Sequence, residues 1–199
     1  PWPTPTLPPA PQADLVLAHD TLVTPRWPWV FESDAGWSRF AHGVLWVHLE
    51  APAYTHALVL EMRPQDVEVQ ARFRVQKPVP GAYLGLTCRY QDGQNFYAFL
   101  LRADGQVAIA RYQGGRERLL WPWSVVTDPL QPGQIEDLTI QCQGPYLRFW
   151  LAGQLVAQTQ DPALAQGDVG FLFGTWGQGG WVAGLDEYWV RMLPARQAR

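Results

Sequence analysis

Cleaving a glycosidic bond takes two carboxyl groups placed on either side of it. The nearest candidate pairs in this chain of 199 residues are Asp66 with Glu68 and Asp186 with Glu187. Asp66 and Glu68 begin an alternating apolar/polar stretch, DVEVQARFRVQ, with no third carboxylate nearby. Asp186 and Glu187 are adjacent, so on a strand their side chains leave on opposite faces. Solvation or turn formation is the simpler role for both pairs. No Ser/His/Asp or Cys/His set can be assembled from the spacing, and there is no phosphate-binding glycine loop. The four histidines (His19, His42, His48, His56) lie in the first third without ligand-like spacing, and no zinc-type Cys/His pattern occurs. No catalytic, metal or cofactor residue is assigned. A structural calcium ion is the one cofactor considered, with Asp20, Asp34 and Asp186 as candidates, although no run of oxygen ligands resembles a calcium loop.

Binding chemistry is better supplied. The chain holds 11 tryptophans. Trp46 and Trp189 fall inside strand-like runs and are expected in the core. Trp27, Trp29, Trp121, Trp123 and Trp176 sit beside Pro or Gly in expected loops, where a large ring is harder to bury. Such rings stack on the apolar faces of pyranoses, plug the ends of a sandwich or anchor a protein interface. The candidate ligand-binding set is Tyr83, Arg89 and Arg111 for hydrogen bonds with Phe96, Trp121, Trp123 and Trp176 for stacking.

Those residues are organised by the stretch from Ala82 to Tyr112, AYLGLTCRYQDGQNFYAFLLRADGQVAIARY, which reads as three consecutive strands. Asp92-Gly93 and Asp104-Gly105 each suit a two-residue hairpin loop, whose positions need φ > 0. Two such loops place Cys88 opposite Tyr97, Arg89 opposite Phe96, Phe99 opposite Ala110 and Ala98 opposite Arg111. Side-chain alternation then gives a core face of Leu84, Leu86, Cys88, Tyr90, Tyr97, Phe99, Leu101, Ala108, Ala110 and Tyr112. The opposite face holds Tyr83, Thr87, Arg89, Phe96, Ala98, Leu100, Arg102, Val107, Ile109 and Arg111. A face mixing guanidinium groups with aromatics suits a shallow binding surface, or one covered by another segment or a partner.

The same alternation recurs elsewhere. Strands are expected over 14–20, 43–50, 57–62, 66–76 and 116–121. From Ile135 onward, Leu138, Ile140, Cys142, Leu147, Phe149 and Leu151 form an inward set, and GDVGFLFGTW and GWVAGLDEYWVRML read as closing strands. No helical periodicity of useful length appears, and only 161–166 suits a single helical turn. About a dozen short strands separated by turns predict an all-β, two-sheet antiparallel jelly-roll sandwich.

The expected organisation is a proline-rich tether or tail over 1–13, one sandwich over 14–193 and a C-terminal tail over 194–199. Six of the first eleven residues are proline, which favours extended polyproline conformation. A net charge of -3 gives no footprint for nucleic acid, and no apolar run is long enough to span a membrane. Cys88 and Cys142 both fall on expected core faces. Buried free thiols are the favoured reading, and pairing requires their strands to face each other.

The succession GLTCRYQDGQNFYAFLLRADGQVAIARY, LTIQCQGPYLRFWLAGQLVAQTQDPALAQGDVGFLFG and a terminal V-x-G-L-D-E-Y-W-V resembles the concanavalin A-like lectin/glucanase superfamily. More narrowly it is similar to laminin G-like and keto-disaccharide-hydrolase-like domains of exported bacterial proteins. The resemblance covers roughly residues 14–193 and carries the fold further than the function. Its β-glucan-cleaving members use Glu-x-Asp-x-Glu on one strand, which this chain lacks. It implies a non-catalytic extracytoplasmic module at the cell surface or secreted, tethered by an anchor outside this sequence, with a glycan or protein partner. The rival expectation is a structural or accessory subunit of a surface assembly, its proline tail packed on neighbouring chains; an atypical glycoside hydrolase is a weaker third.

Overall fold

The computed structural model describes residues 15–24 and 26–194; the proline-rich stretch 1–13 and residues 195–199 lie outside the described residues. Among those described, fifteen strands and no helix are found. The first five are β1 (Leu15–Asp20), β2 (Phe31–Ser33), β3 (Gly36–Ala41), β4 (Val44–Leu49) and β5 (Thr55–Leu60). Then come β6 (Val67–Lys77), β7 (Ala82–Asp92), β8 (Asn95–Arg102), β9 (Gln106–Gln113) and β10 (Arg116–Val125). The chain closes with β11 (Ile135–Gln143), β12 (Tyr146–Leu151), β13 (Gln154–Gln160), β14 (Asp168–Thr175) and β15 (Trp181–Met192).

They form two antiparallel sheets. One, of nine strands, runs β13-β12-β11-β6-β15-β4-β3-β2, with β1 pairing the Tyr188–Met192 end of β15. The other, of six, runs β10-β9-β8-β7-β14-β5. This is the jelly-roll sandwich that the alternation predicts. The inward sets from β6, β11 and β12 meet in one core, where Val69, Phe73, Leu138, Ile140 and Phe149 are fully buried. The β2–β3 hairpin escaped the sequence reading because β2 has only three residues, and 161–166 is irregular rather than helical. Pro122 lies inside β10, tolerated because β10 is the edge of its sheet.

Two departures from simple hairpin geometry rearrange the central meander. Cys88 does face Tyr97, but Asp92 pairs with Asn95, so β7 bulges between them. Arg89 occupies the bulge with φ of 51°, in the left-handed region, and points into the sandwich beside Cys88. A Cβ on Gly167 would lie 2.4 Å from the Arg89 carbonyl carbon, so the bulge needs a glycine against it. The second hairpin has a three-residue connection, 103–105, with Gly105 at φ 81°. Ala103 is drawn into the structure because its N–H donates to Ala82 O and its carbonyl accepts from Leu130 N–H. Phe99 therefore faces Ile109, not Ala110, and Ala98 faces Ala110, not Arg111. A slip of one residue inverts a whole strand. Val107 and Ile109 enter the core, Ala110 and Tyr112 turn outward, and Arg111 turns inward.

Two further expectations are corrected. Cys88 and Cys142 form a disulfide, with Cα atoms 6.7 Å apart, because β7 and β11 lie opposite each other in the two sheets. Trp46 and Trp189 alternate outward on the nine-stranded sheet. Their neighbours Val47 and Val190 take the core positions, and the fully buried tryptophan is Trp181.

Arg89, 2% exposed, ties the layers together. Its guanidinium donates to Leu164 O at 2.8 Å and Gly144 O at 2.6 Å and lies 3.7 Å from Asp66. Asp66 in turn accepts the Gly144 N–H at 2.8 Å. Beside it, Asp161 accepts from Tyr97 Oη at 2.6 Å and from Arg111 at 2.8 Å. Burial works to raise the Asp161 pKa, but hydrogen bonds from Tyr97, the Ala163 N–H and Arg111 together hold it below the usual carboxylate value. Replacing Arg89 with Met takes the guanidinium donors from the Leu164 and Gly144 carbonyls and leaves Asp66 without its countercharge, a loss of about 3 kcal/mol in denaturant unfolding. Replacing both cysteines with serine removes a cross-link spanning 54 residues, and loop-closure entropy puts the expected cost near ~4 kcal/mol, read by the same measurement.

Candidate functional site

The outer face of the six-stranded sheet is built from a floor of small or aliphatic residues and a rim of rings. Ala98, Leu100, Ala110 and Leu172 form the floor, each no more than 2% exposed because aromatic side chains lie over them. One side of the rim is a column from β7, β8 and β9. Tyr90 and Phe96 have centroids 5.4 Å apart, and Phe96 and Tyr112 stack at 4.6 Å. Tyr90 and Tyr112 reach this face through the two register shifts described above.

The other side joins the sheet to two distant segments. The Tyr83 ring meets Trp176 at 4.5 Å, and Trp176 meets Trp123 edge-on at 5.3 Å. The Arg102 guanidinium lies 4.8 Å from the Trp123 ring centroid. Tyr83 lies flat across β14 because its cross-strand partner there is Gly174; a Cβ at that position would come within 2.1 Å of Tyr83 Cζ. Trp176 stays 40% exposed at the mouth.

Between the columns lies a cavity of about 250 Å³, lined by Thr55, Ala57, Tyr83, Tyr90, Phe96 and Tyr112 among others. Its polar groups are hydroxyls. Tyr83 Oη and Thr55 Oγ1 are hydrogen-bonded to one another, and Tyr112 Oη donates to Glu117. Burial raises the pKa of Tyr83 and of Tyr90, and burial followed by the Glu117 carboxylate pushes Tyr112 far above the ordinary phenol value. All three therefore remain neutral donors and acceptors at physiological pH. Among the described residues, no carboxylate, histidine or cysteine lines the cavity. The arrangement can clamp a flat, partly apolar ligand between rings and hydrogen-bond its edge.

Of the candidate residues, Tyr83, Phe96, Trp123 and Trp176 meet on this face. Three do not. Arg89 and Arg111 point into the sandwich, turned there by the bulge and the one-residue slip, and are committed to Leu164, Gly144 and Asp161. Trp121 packs on the main core, on the other side of the sheet from Trp123, because β10 is irregular on either side of Trp121. Tyr90, Tyr112, Thr55 and Gly174 are the members that the sequence reading missed, and Arg102 was placed on this face without being named as a ligand-binding candidate. The signal was present for Gly105, since a glycine closing a three-residue loop has the same Asp-Gly signature as a two-residue one.

The carboxylates lie elsewhere. Asp66 is buried against Gly144, while Glu68, Asp186 and Glu187 bond to Arg191, Arg74 and Arg72 respectively. Of the calcium candidates, Asp20 caps the Leu22 N–H at 2.8 Å, Asp34 is in an exposed turn and Asp186 is 2.8 Å from Arg74. Among the described residues no three His, Cys, Asp or Glu side chains cluster in a way that could hold a metal ion.

No family model matches the chain, and no curated protein matches it either. Solved structures do. The carbohydrate-binding module CBM66 of Bacillus subtilis superposes with a TM-score of 0.53 at 14% identity, covering 79% of this chain and 87% of that one. The CBM2 module of the evolved Dit protein of Lactobacillus casei BL23 phage J-1 gives 0.63 at 14% identity, covering 95% and 100%. The kappa-carrageenase of Pseudoalteromonas carrageenovora, solved with an oligotetrasaccharide of kappa-carrageenan, gives 0.61 at 10% identity, covering 95% and 99%. At such identities the likeness is one of fold, and it agrees with the concanavalin A-like architecture that the sequence resembles.

The seat of Tyr83 can be tested directly. Gly174→Ala is expected to lift the ring from β14 and to part Tyr83 from Trp176, changing the near-ultraviolet circular dichroism and shifting tryptophan emission to longer wavelength. An unchanged spectrum in a folded variant would show that the ring does not depend on Gly174.

Proposed function

We propose that this chain is a non-catalytic carbohydrate-binding module acting outside the cytoplasm, with the aromatic face of the six-stranded sheet as its sugar platform. The observation that carries the reading is the convergence of Tyr83, Trp176 and Trp123, from three separate segments, beside a cavity lined by neutral hydroxyls. A pyranose offers the matching chemistry: an apolar C–H face for a ring and hydroxyls at its edge. Two of the similar structures are described as carbohydrate-binding modules and the third as a carrageenase in complex with an oligosaccharide, which supports a glycan ligand.

The absence of an acid–base pair from the cavity lining favours binding over hydrolysis. The Cys88–Cys142 disulfide favours an oxidising compartment, in keeping with an exported protein. The resemblance of the meander sequence to laminin G-like domains supports the same reading.

Glycan-array screening followed by titration is the test. Trp123→Ala and Trp176→Ala are each expected to weaken binding about tenfold or more, since each removes a stacking surface. Arg111→Lys, buried away from the face, is expected to leave affinity unchanged in folded protein. Binding that survives loss of both tryptophans, or an absence of glycan binding alongside a tight protein complex on this face, would overturn the assignment in favour of an assembly subunit.

A further inference from the structure

The outer face of the nine-stranded sheet carries a second arrangement, chemically unlike the first. Strand register sets Trp150, Thr139, Gln70, Trp189 and His19 in one row across β12, β11, β6, β15 and β1. From β12 to β15 is three strand spacings, so the two indoles stand about 14 Å apart. Thr139 and Gln70 form the floor between them. Two adjoining hollows share that floor, one of about 240 Å³ reaching Trp189 and one of about 340 Å³ reaching Trp150.

The flanking rows are closed on themselves. On one side Arg148 donates to Gln141, Gln141 to Glu68 at 2.7 Å, and Arg191 to Glu68 at 3.2 Å. On the other side Arg72 spans Asp137 at 2.8 Å and Glu187 at 3.5 Å, and Glu187 lies 2.8 Å from His19 Nε2. The His19 ring stacks on Trp189 with centroids 3.5 Å apart and planes 11° apart. This contact braces the indole from the β1 side, the Arg191 guanidinium lies 5.4 Å from the same ring centroid, and the indole borders the hollow above Gln70. Gln70 donates to Glu68 at 3.2 Å. Its carboxamide oxygen and the Thr139 hydroxyl have no protein partner among the described residues.

We infer that this trench is a second ligand site, which takes a neutral, hydroxyl-rich oligosaccharide lying across β11 and β6 between the two indoles. Charge decides the class. Glu68 is held by Arg191, and Asp137 and Glu187 share Arg72, while Arg148 is engaged by the Gln141 carboxamide and the Tyr146 ring, so the three charges of each sign balance across the trench and an ionic ligand must displace an existing contact. A neutral polyol needs only the spare lone pairs of those carboxylates, the Gln70 oxygen and the Thr139 hydroxyl. Position argues the same way, because an extended peptide adds at a sheet edge, whereas this trench lies inside the sheet with β13 beyond Trp150 and β4 and β3 beyond β15. The assignment uses no residue of the six-stranded face and stands or falls independently of it.

The test is titration of the full chain with soluble xylan, mixed-linkage β-glucan, galactomannan and levan, with polygalacturonate as the acidic comparison. Binding is followed by calorimetry and by the indole N–H resonances of 15N-labelled protein, assigned with Trp150→Ala and Trp189→Ala. At least one neutral polysaccharide is expected to shift the Trp150 and Trp189 signals. Trp150→Ala and Gln70→Ala should each weaken that binding about tenfold or more, while Trp123→Ala leaves it unchanged. Should Trp150→Ala fail to fold, Thr139→Val, which keeps shape and strand propensity, reads the same loss. The inference is overturned if no neutral polysaccharide moves these two signals, if only polygalacturonate does, or if all binding disappears with Trp123→Ala.

Discussion

A guanidinium sealed between two sheets must find acceptors for its donors, and Arg89 finds them in the carbonyls of Gly144 and Leu164. Much of the molecule follows from that demand. To reach both carbonyls Arg89 adopts a left-handed backbone conformation, which sends Cys88 and Arg89 inward together and Tyr90 outward. The inward Cys88 bridges to β11, and the outward Tyr90 begins the aromatic column on the opposite face. One bulge thus fastens the layers and furnishes part of the candidate site. The Gly144 turn and the 161–167 segment, neither of which lies in a sheet, are held in place from the inside.

How much of this was legible in the sequence depended on whether a feature rests on period or on register. Alternation alone located most strands and the inward sets of β6, β11 and β12, because a half-buried strand repeats every two residues whatever its neighbours do. Register is a different quantity. It hangs on single loop residues, and Ala103, by bonding to Ala82 and Leu130, lengthened one hairpin by a residue and turned β9 over. Tyr112 and Arg111 therefore exchanged faces relative to the expectation from Asp104-Gly105. The disulfide was missed for a related reason, since which strand of one sheet lies over which strand of the other is a long-range fact that local pattern does not hold. Tyr83, Phe96, Trp123 and Trp176 meet on one face because the first two precede or escape the shifts and the tryptophans lie outside the meander.

The two outer faces differ in chemistry. The six-stranded face is apolar, with rings over small side chains and hydroxyls that stay neutral, so a ligand bound there would gain affinity mainly from area removed from water. The nine-stranded face is a hydrogen-bonding surface whose charges balance across a network and whose indoles are set far apart. The first suits a ligand that enters a hollow, and the second one that lies along a surface. Because the sheets are cross-linked and Arg89 fills the space between, neither face has to become ordered when it is occupied, which spares part of the entropic cost of binding.

Pro122 interrupts β10 at the free border of the six-stranded sheet, between a tryptophan that packs inward and one that packs outward. Its ring carries no N–H, so the strand lacks one backbone donor in the irregular stretch between the Trp121 and Ser124 pairings. A protein that displays large aromatic side chains beside an open sheet margin invites strand-by-strand stacking of copies into fibres. Here the residue that separates Trp121 from Trp123 also takes one donor out of that border, so the aromatic face sits beside a margin that is harder to extend.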